Sequence, residues 1–229
     1  RGNKGGQNAP DGRAPSVLWT PRGRSGRQAD HTWKGYGSTN RRCAGAMKTV
    51  VLIGDPNVGK SVLFSRLTGV DVIASNYPGT TVDYSKGRIT QRGETLEIVD
   101  APGTYSLEPT NNAEQVAVSL LDKADVIVNV VDSTSLERCL LLTVELLERR
   151  KPMVIALNMW DEAQHLGISI DVRQLEALLQ VPVVSTVAIT GEGVKELVQR
   201  LEEARIPDRQ SRGGEDQTWA EVGHIVRKG

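Results

Sequence analysis

The run Gly54-Asp55-Pro56-Asn57-Val58-Gly59-Lys60-Ser61 has the spacing G-x-x-x-x-G-K-S. Residues of these types in this order make a cradle for phosphates. The glycines let backbone pass close to an anion. The N–H groups that open the following helix, at Ser61 and Val62, point at it, and the helix dipole favours its charge. Lys60 has the reach for β- and γ-phosphates, and the Ser61 hydroxyl can ligate Mg²⁺. A glycine-rich turn that binds nothing has the same composition; a strand before the run and a helix after it favour the cradle. The motif does not say which nucleotide binds.

Asn158-Met159-Trp160-Asp161 follows the apolar run Met153–Leu157. The carboxyl end of a strand is where open α/β sheets bind ligands. There the Asp161 carboxylate can accept from N1–H and the 2-amino group of guanine, a pattern adenine lacks. Asn158 would brace the loop and touch the purine edge. The bland alternative for Asp161 is a helix N-cap. Val187-Ala188-Ile189-Thr190-Gly191 closes the last apolar run, and its Ala188 N–H could meet guanine O6.

Two more segments suit a γ-phosphate. In Asp100-Ala101-Pro102-Gly103 the carboxylate can hold a Mg²⁺-bound water and the Gly103 N–H can meet the phosphate. Asn76-Tyr77-Pro78-Gly79-Thr80-Thr81 is rich in turn residues. A threonine there, Thr81 or in its place Thr80, can ligate Mg²⁺ and order the loop only when the triphosphate is bound. Plain turn chemistry is the alternative for both segments.

These residues need elements to hold them. Short β-branched runs at Lys48–Ile53, Val126–Val131, Met153–Leu157 and Val183–Val187 predict buried strands. Gly87–Thr90 and Thr95–Val99 predict a hairpin turning at Arg92-Gly93-Glu94. Helices are predicted over Ser61–Leu67, Ala113–Leu121, Leu136–Glu148, Val172–Leu179 and Gly193–Leu201. Trp219, Val222, Ile225 and Val226 have helical spacing and predict a short helix over Trp219–Lys228. Strands alternating with helices imply an α/β fold: a mostly parallel six-stranded sheet with helices on both faces, of the small G-protein-like P-loop GTPase type.

The 229 residues carry 28 basic and 28 acidic side chains, which excludes a globally basic nucleic-acid binder and a polyanionic disordered chain. Two cysteines, Cys43 and Cys139, cannot form a disulfide framework and suggest a reducing compartment. No run reaches the roughly 18 apolar residues of a membrane span, and no signal-peptide pattern opens the chain. The balance hides an asymmetry. Residues 1–46 hold nine basic and two acidic residues, leaving 19 basic and 26 acidic beyond them. That first segment also has nine of the 23 glycines and no apolar periodicity. It predicts a disordered leader, either a basic arm for nucleic acid or anionic lipid, or a non-native segment ahead of Met47. The domain itself is predicted over 47–206, with a linker and short helix over 207–229.

The five motifs occur in the order of guanine-nucleotide-binding proteins. The segments Gly54–Gly69, Ser75–Gly87, Asp100–Leu107, Val130–Leu147 and Ala156–Ala163 resemble the G domain of the ferrous iron transport protein B (FeoB) family over about Lys48–Leu201. Asn76–Val82, Pro102–Leu107 and Leu136-Glu137-Arg138 are the more specific parts; the phosphate loop is shared with many GTPases. The resemblance implies GTP or GDP with Mg²⁺ as ligands and a cytoplasmic module that regulates or drives Fe²⁺ uptake. It further implies a membrane permease domain, normally in the same polypeptide, on the cytoplasmic face of the inner membrane. Self-association is compatible with it, and nucleic acid is not an expected partner. It implies that Asn57 helps bind a monovalent cation, K⁺, beside the phosphates, so that Asn57, Lys60, Thr81 and Gly103 form the catalytic set. Thr104 stands where many small GTPases carry a water-orienting glutamine, which implies slow turnover.

Three departures stand out. Asp55 occupies a position where the family often has asparagine and adds negative charge near the phosphates. Cys139 also stands at a frequent asparagine. The 28 residues Glu202–Gly229 are too few for the family's helical spacer domain. His31, His165 and His224 have no metal-ligand spacing. Two rival functions remain: a free-standing GTPase of the ribosome-assembly type, its basic arm on RNA, and a nucleotide switch with negligible hydrolysis.

Overall fold

The computed structural model describes residues 47–69, 72–207 and 226–228. The expectations for residues 1–46, and for most of 207–229, lie outside them.

Strand β1 (Lys48–Ile53) enters the phosphate loop and helix α1 (Lys60–Thr68) leaves it. A hairpin follows, β2 (Val72–Asn76) and β3 (Asp83–Gln91), and then β4 (Glu94–Asp100). Next come α2 (Asn112–Lys123), β5 (Val126–Asp132) and α3 (Leu136–Glu148). After them the chain runs through β6 (Met153–Asn158), α4 (Trp160–His165), β7 (Ile168–Ile170) and α5 (Val172–Leu179). It continues through β8 (Val183–Ser185) and α6 (Val194–Arg200), and β9 (Val226–Lys228) is the last described element.

The main sheet has the order β2-β3-β4-β1-β5-β6-β8. β4, β1, β5, β6 and β8 run parallel, while β2 and β3 are antiparallel additions at one edge. All six residues of β6 are buried. Since neighbouring side chains of a strand point to opposite faces, both faces of the sheet are covered. The chain leaves β1 toward β4 and later returns to its other side with β5. β1 is therefore the topological switch point, where a crevice opens at the carboxyl ends of the strands.

Two expectations need correction. The sheet has seven strands. The added one is β2, four of whose five residues are exposed, so it carries no alternating apolar signal. It is held by backbone pairing from Val72↔Gly87 to Asn76↔Asp83, which makes the Asn76–Thr81 segment the tip of a hairpin. The helix predicted over Trp219–Lys228 is also incorrect at its end. Val226–Lys228 is a strand whose backbone pairs antiparallel with β7, and that tertiary ladder outweighs local apolar spacing. Residues 219–225 lie outside the described residues.

Candidate functional site

The loop between β1 and α1 depends on its glycines, Gly54 for close approach to Val130 O and Gly59 for its backbone conformation as well. Gly59 sits at φ +86°, and a Cβ there would lie 2.3 Å from Asn158 Nδ2. Only glycine meets both conditions. Asn57 takes φ +67°, a left-handed conformation asparagine tolerates better than most residues. The loop closes against the segment after β4. Thr104 N–H donates to Gly54 O at 3.2 Å, and a Cβ on Gly103 would lie 2.9 Å from Pro56 Cα.

Pro56, Asn57, Lys60, Ser61, Asp83, Tyr84, Ser85 and Asp100–Gly103 line a groove of about 480 Å³. Lys60 is buried, and its ammonium donates to Gly54 O at 3.0 Å and Asp55 O at 2.6 Å. Burial lowers its pKa, and the carboxylates of Asp100 and Asp55 partly offset that. Asp100 is pushed the other way. Burial raises its carboxyl above 3.8, against a hydrogen bond from Ser61 and the Lys60 charge. Its Oδ1 is buried without a partner. A desolvated lysine and a carboxylate with an orphaned oxygen, beside the Ser61 hydroxyl at a helix N-terminus, suit a phosphate with its divalent cation.

The second half of the site is tied to the first through Asn158. This buried side chain donates to Val58 O at 2.9 Å, and its Oδ1 accepts from Ala188 N–H at 3.0 Å and Thr186 Oγ1 at 3.3 Å. From the last position of β6 it braces two loops, the phosphate loop and the loop after β8. The Ala188 N–H, expected to face guanine O6, is engaged here by Asn158 Oδ1. Val187 N–H donates to Glu192 O, and Ile189 is 74% exposed. Met159 holds φ +58°, a costly conformation for a side chain of this shape, and directs the chain into α4. Asp161 lies exposed inside the first turn of α4; Met159, rather than Asp161, occupies the cap position.

The γ-phosphate segments are less assembled. Thr80 is occupied by its turn, donating to Tyr77 O at 3.1 Å and accepting from Val82 N–H at 3.2 Å. Thr81 is exposed and does not line the groove, nor does Gly79. Asp83, Tyr84 and Ser85 line it from β3. Thr104 is buried, and its hydroxyl donates to Ser106 O at 2.6 Å.

Sequence reasoning missed two braces. Arg66, on α1, donates to Ala188 O at 3.1 Å and to Ile189 O. Glu145, on α3, accepts from Leu107 N–H at 2.5 Å and from the Ser106 hydroxyl. Neither belongs to a motif; each acts across more than 35 residues of sequence, and only helical position could have hinted at it. A larger depression of about 970 Å³ lies between α5, β8 and α6. It shares no residue with the phosphate-loop groove, and its Arg200 and Arg205 pair with Glu176. Among the described residues no group of histidine, cysteine and acidic side chains could hold a metal ion by itself, and no helix is long and apolar enough to cross a membrane.

A parallel sheet with this loop at its switch point and an Asn-x-x-Asp turn two strands away defines a P-loop GTPase fold. Residues 48–201 match the family model described as ferrous iron transport protein B, and the chain belongs to that family. The Fe(2+) transporter FeoB of Legionella pneumophila (strain Lens) is 44% identical over 161 residues, 68% of this chain and 21% of that protein. The Fe(2+) transport protein A/Fe(2+) transporter FeoB fusion protein of Porphyromonas gingivalis is 43% identical over 155 residues, 66% of this chain and 18% of that one. The chain thus spans about a fifth of the length of these relatives. Among solved structures, the cytosolic domain of L. pneumophila FeoB superposes with a TM-score of 0.68 at 41% identity, over 70% of this chain and 65% of that one. The cytosolic domain of the T. maritima FeoB iron transporter in its GMPPNP form gives 0.68 at 38% identity, over 75% and 71%.

Proposed function

We propose that residues 47–206 form a G domain that binds GTP and GDP in this groove and hydrolyses GTP slowly. The observation that carries this reading is the convergence of buried Lys60, Ser61 and the orphaned Asp100 Oδ1 beside Gly103. The GDP and GMPPNP forms of the T. maritima relative support a guanine nucleotide. Gly54–Val62 would wrap the phosphates, with Lys60 exchanging its two carbonyl acceptors for phosphate oxygens. Asp161, with Met159 and the Val187–Ile189 loop around it, would select guanine. Ser61, Thr81 and, through water, Asp100 would hold Mg²⁺, which when bound supplies positive charge beside the phosphates. Thr81 and Gly79 would have to move inward for this, as a loop ordered only by the triphosphate does.

Hydrolysis needs a water held in line with the γ-phosphate. Gly103 N–H would stabilise the phosphate oxygens. Exposed Asn57 on the groove wall is the residue to hold K⁺ there, where charge develops. Turnover is expected within an order of magnitude or so of the roughly 10⁻⁴ to 10⁻² s⁻¹ of unassisted GTPases. The decisive experiment is GTP turnover with Mg²⁺ in potassium against sodium, for the wild type and Asn57→Ala. Stimulation by potassium that disappears in Asn57→Ala supports the reading. Tight guanine-nucleotide binding without turnover in either salt leaves a binding switch. One observation favours that second reading: the Thr104 hydroxyl is buried and committed to Ser106 O at 2.6 Å.

At the level of the whole protein, the domain would regulate or drive Fe²⁺ uptake by a membrane permease domain of the same polypeptide, on the cytoplasmic face of the membrane. Family membership supports this. Fe²⁺ uptake by cells carrying Lys60→Ala in the full-length gene tests it; unchanged uptake would overturn the coupling.

A further inference from the structure

Asp55 places a carboxylate in a loop built to receive an anion. Its main chain serves that loop, with the carbonyl accepting from Lys60 Nζ at 2.6 Å. Its side chain does not line the groove. The residue is 2% exposed, and its Oδ2 lies 3.5 Å from Arg138 Nε and 3.5 Å from Cys139 Sγ, both on the first turn of α3. The Cys139 thiol, which burial pushes up to about 11, keeps its proton and donates to that oxygen. The two positions singled out in the sequence, Asp55 and Cys139, are therefore neighbours. Of the three side chains, only Arg138 brings a compensating charge. It remains half in water, with 56% of its side chain exposed.

We infer that Arg138 is a positioning residue for the phosphate loop: it neutralises Asp55 and anchors that carboxylate to α3, away from the bound phosphates. This rests on the nucleotide reading of the groove. Removing Arg138 withdraws one of the two positive charges, Arg138 and Lys60, that balance a buried carboxylate. With only Lys60 left to balance it and only the weak Cys139 thiol donor to hold it, Asp55 would oppose an anionic ligand more strongly, and could leave α3 and carry the Asp55–Asn57 backbone with it.

The charge states give an ordering. Asp55→Asn leaves Arg138 as an unopposed cation and should bind GDP several-fold tighter than the wild type. Arg138→Ala leaves Asp55 balanced by Lys60 alone and should bind on the order of tenfold weaker. The double variant restores neutrality and should return close to the wild type. A purely structural role for Arg138 predicts something else, since loss of its packing would persist whatever stands at 55. Arg138→Lys, which keeps the charge, should recover most of the affinity, and Arg138→Gln should behave like Arg138→Ala. This second pair carries the test where Arg138→Ala does not fold.

The experiment is titration of the full chain and these variants with fluorescent GDP, with melting curves alongside. The expected result is weakening in Arg138→Ala or Arg138→Gln, relieved by Asp55→Asn. Wild-type binding with no change in the Arg138 variants overturns the inference alone, as does weakening that Asp55→Asn leaves undiminished. No GDP binding by the wild type overturns the nucleotide reading and this inference with it.

Discussion

On one side of the groove, buried Asn158 ties Val58, Thr186 and Ala188 together, and Arg66 clamps the last of these loops from α1. On the other, Thr81 lies exposed at a hairpin tip closed by its own turn, Tyr77 N–H donating to Val82 O, with Lys123 of α2 reaching the Tyr77 hydroxyl at 3.3 Å. The first side is held by buried contacts between residues about 30 to 120 apart in sequence; the second is held mainly by its own turn, with one exposed tie to Lys123. A surface that recognises the same base and phosphates in every nucleotide state gains from being rigid beforehand. A surface that must tell triphosphate from diphosphate gains from two nearly equal arrangements, and local turn chemistry leaves that freedom.

The largest effect should come from breaking the rigid side. Asn158→Ala leaves Val58 C=O, Ala188 N–H and the Thr186 hydroxyl without their partner. Each unpaired buried group costs about 1–3 kcal/mol. The melting temperature should fall by about 10 °C, and GDP affinity by roughly 100-fold or more. Calorimetric melting and nucleotide titration check both. A variant that melts like the wild type would show that the bracing is not built in.

Asp100→Asn should separate stability from binding. The folded chain holds the Asp100 proton more tightly than the unfolded chain does, because burial raises its pKa above 3.8. Ionisation of this group therefore destabilises the fold. The penalty is absent at pH below the ordinary carboxylate range, grows as pH rises through it, and is complete above the folded-state pKa. In the absence of nucleotide, Asp100→Asn should melt a few degrees higher than the wild type at pH 8, with a smaller gap at pH 4. Its Mg²⁺-dependent nucleotide affinity should fall by at least about tenfold, because the carboxylate with the orphaned oxygen is gone. Equal melting at pH 8 would remove the strain assigned to this side chain.

Glu145→Gln sits at the border between the sides. Glu145 holds Ser106 and Leu107, the far end of the segment that begins at Asp100. Replacing the carboxylate by an amide weakens a charge-assisted bond to a backbone donor, worth about 1 kcal/mol. Hydrogen exchange at the Leu107 amide should accelerate by about fivefold, while protection on β6 stays put. Acceleration on β6 as well would merge the two sides into one cooperative unit.

The difference also explains what was legible beforehand. The phosphate loop, the Asn158–Asp161 turn and α3 from Leu136 to Glu148 carry their signals within a short window, and α3 has the predicted boundaries. β2 was not legible, because an exposed edge strand held by backbone pairing has no side-chain pattern to display. β9 was missed since three residues take their conformation from β7. Arg66, Glu145 and the Asp55–Arg138 contact depend on which helix passes behind which loop, which is a property of the assembled sheet. Residue type alone points to Thr81, and its exposed position follows from a hairpin that has no side-chain pattern in the sequence.

The smallest effect on stability should fall at that hairpin, where two adjacent threonines have opposite duties. Thr80 makes two turn hydrogen bonds, and Thr80→Ala should cost about 0.5–1.5 kcal/mol in the nucleotide-free chain. Thr81 is exposed, and Thr81→Ala should change stability by less than about 0.5 kcal/mol. Adding ligand should reverse the ranking. GDP affinity should stay near the wild type in Thr81→Ala, whereas the preference for a GTP analogue over GDP should shrink several-fold. Thr80→Ala should lower both affinities together through a looser turn. Titrations with GDP and GMPPNP separate the cases, because a difference between two ligands cancels whatever the substitution does to the free protein. If Thr80 carries the discrimination instead, the hairpin tip must rearrange its internal hydrogen bonds on binding, and the second side is less independent than its contacts imply.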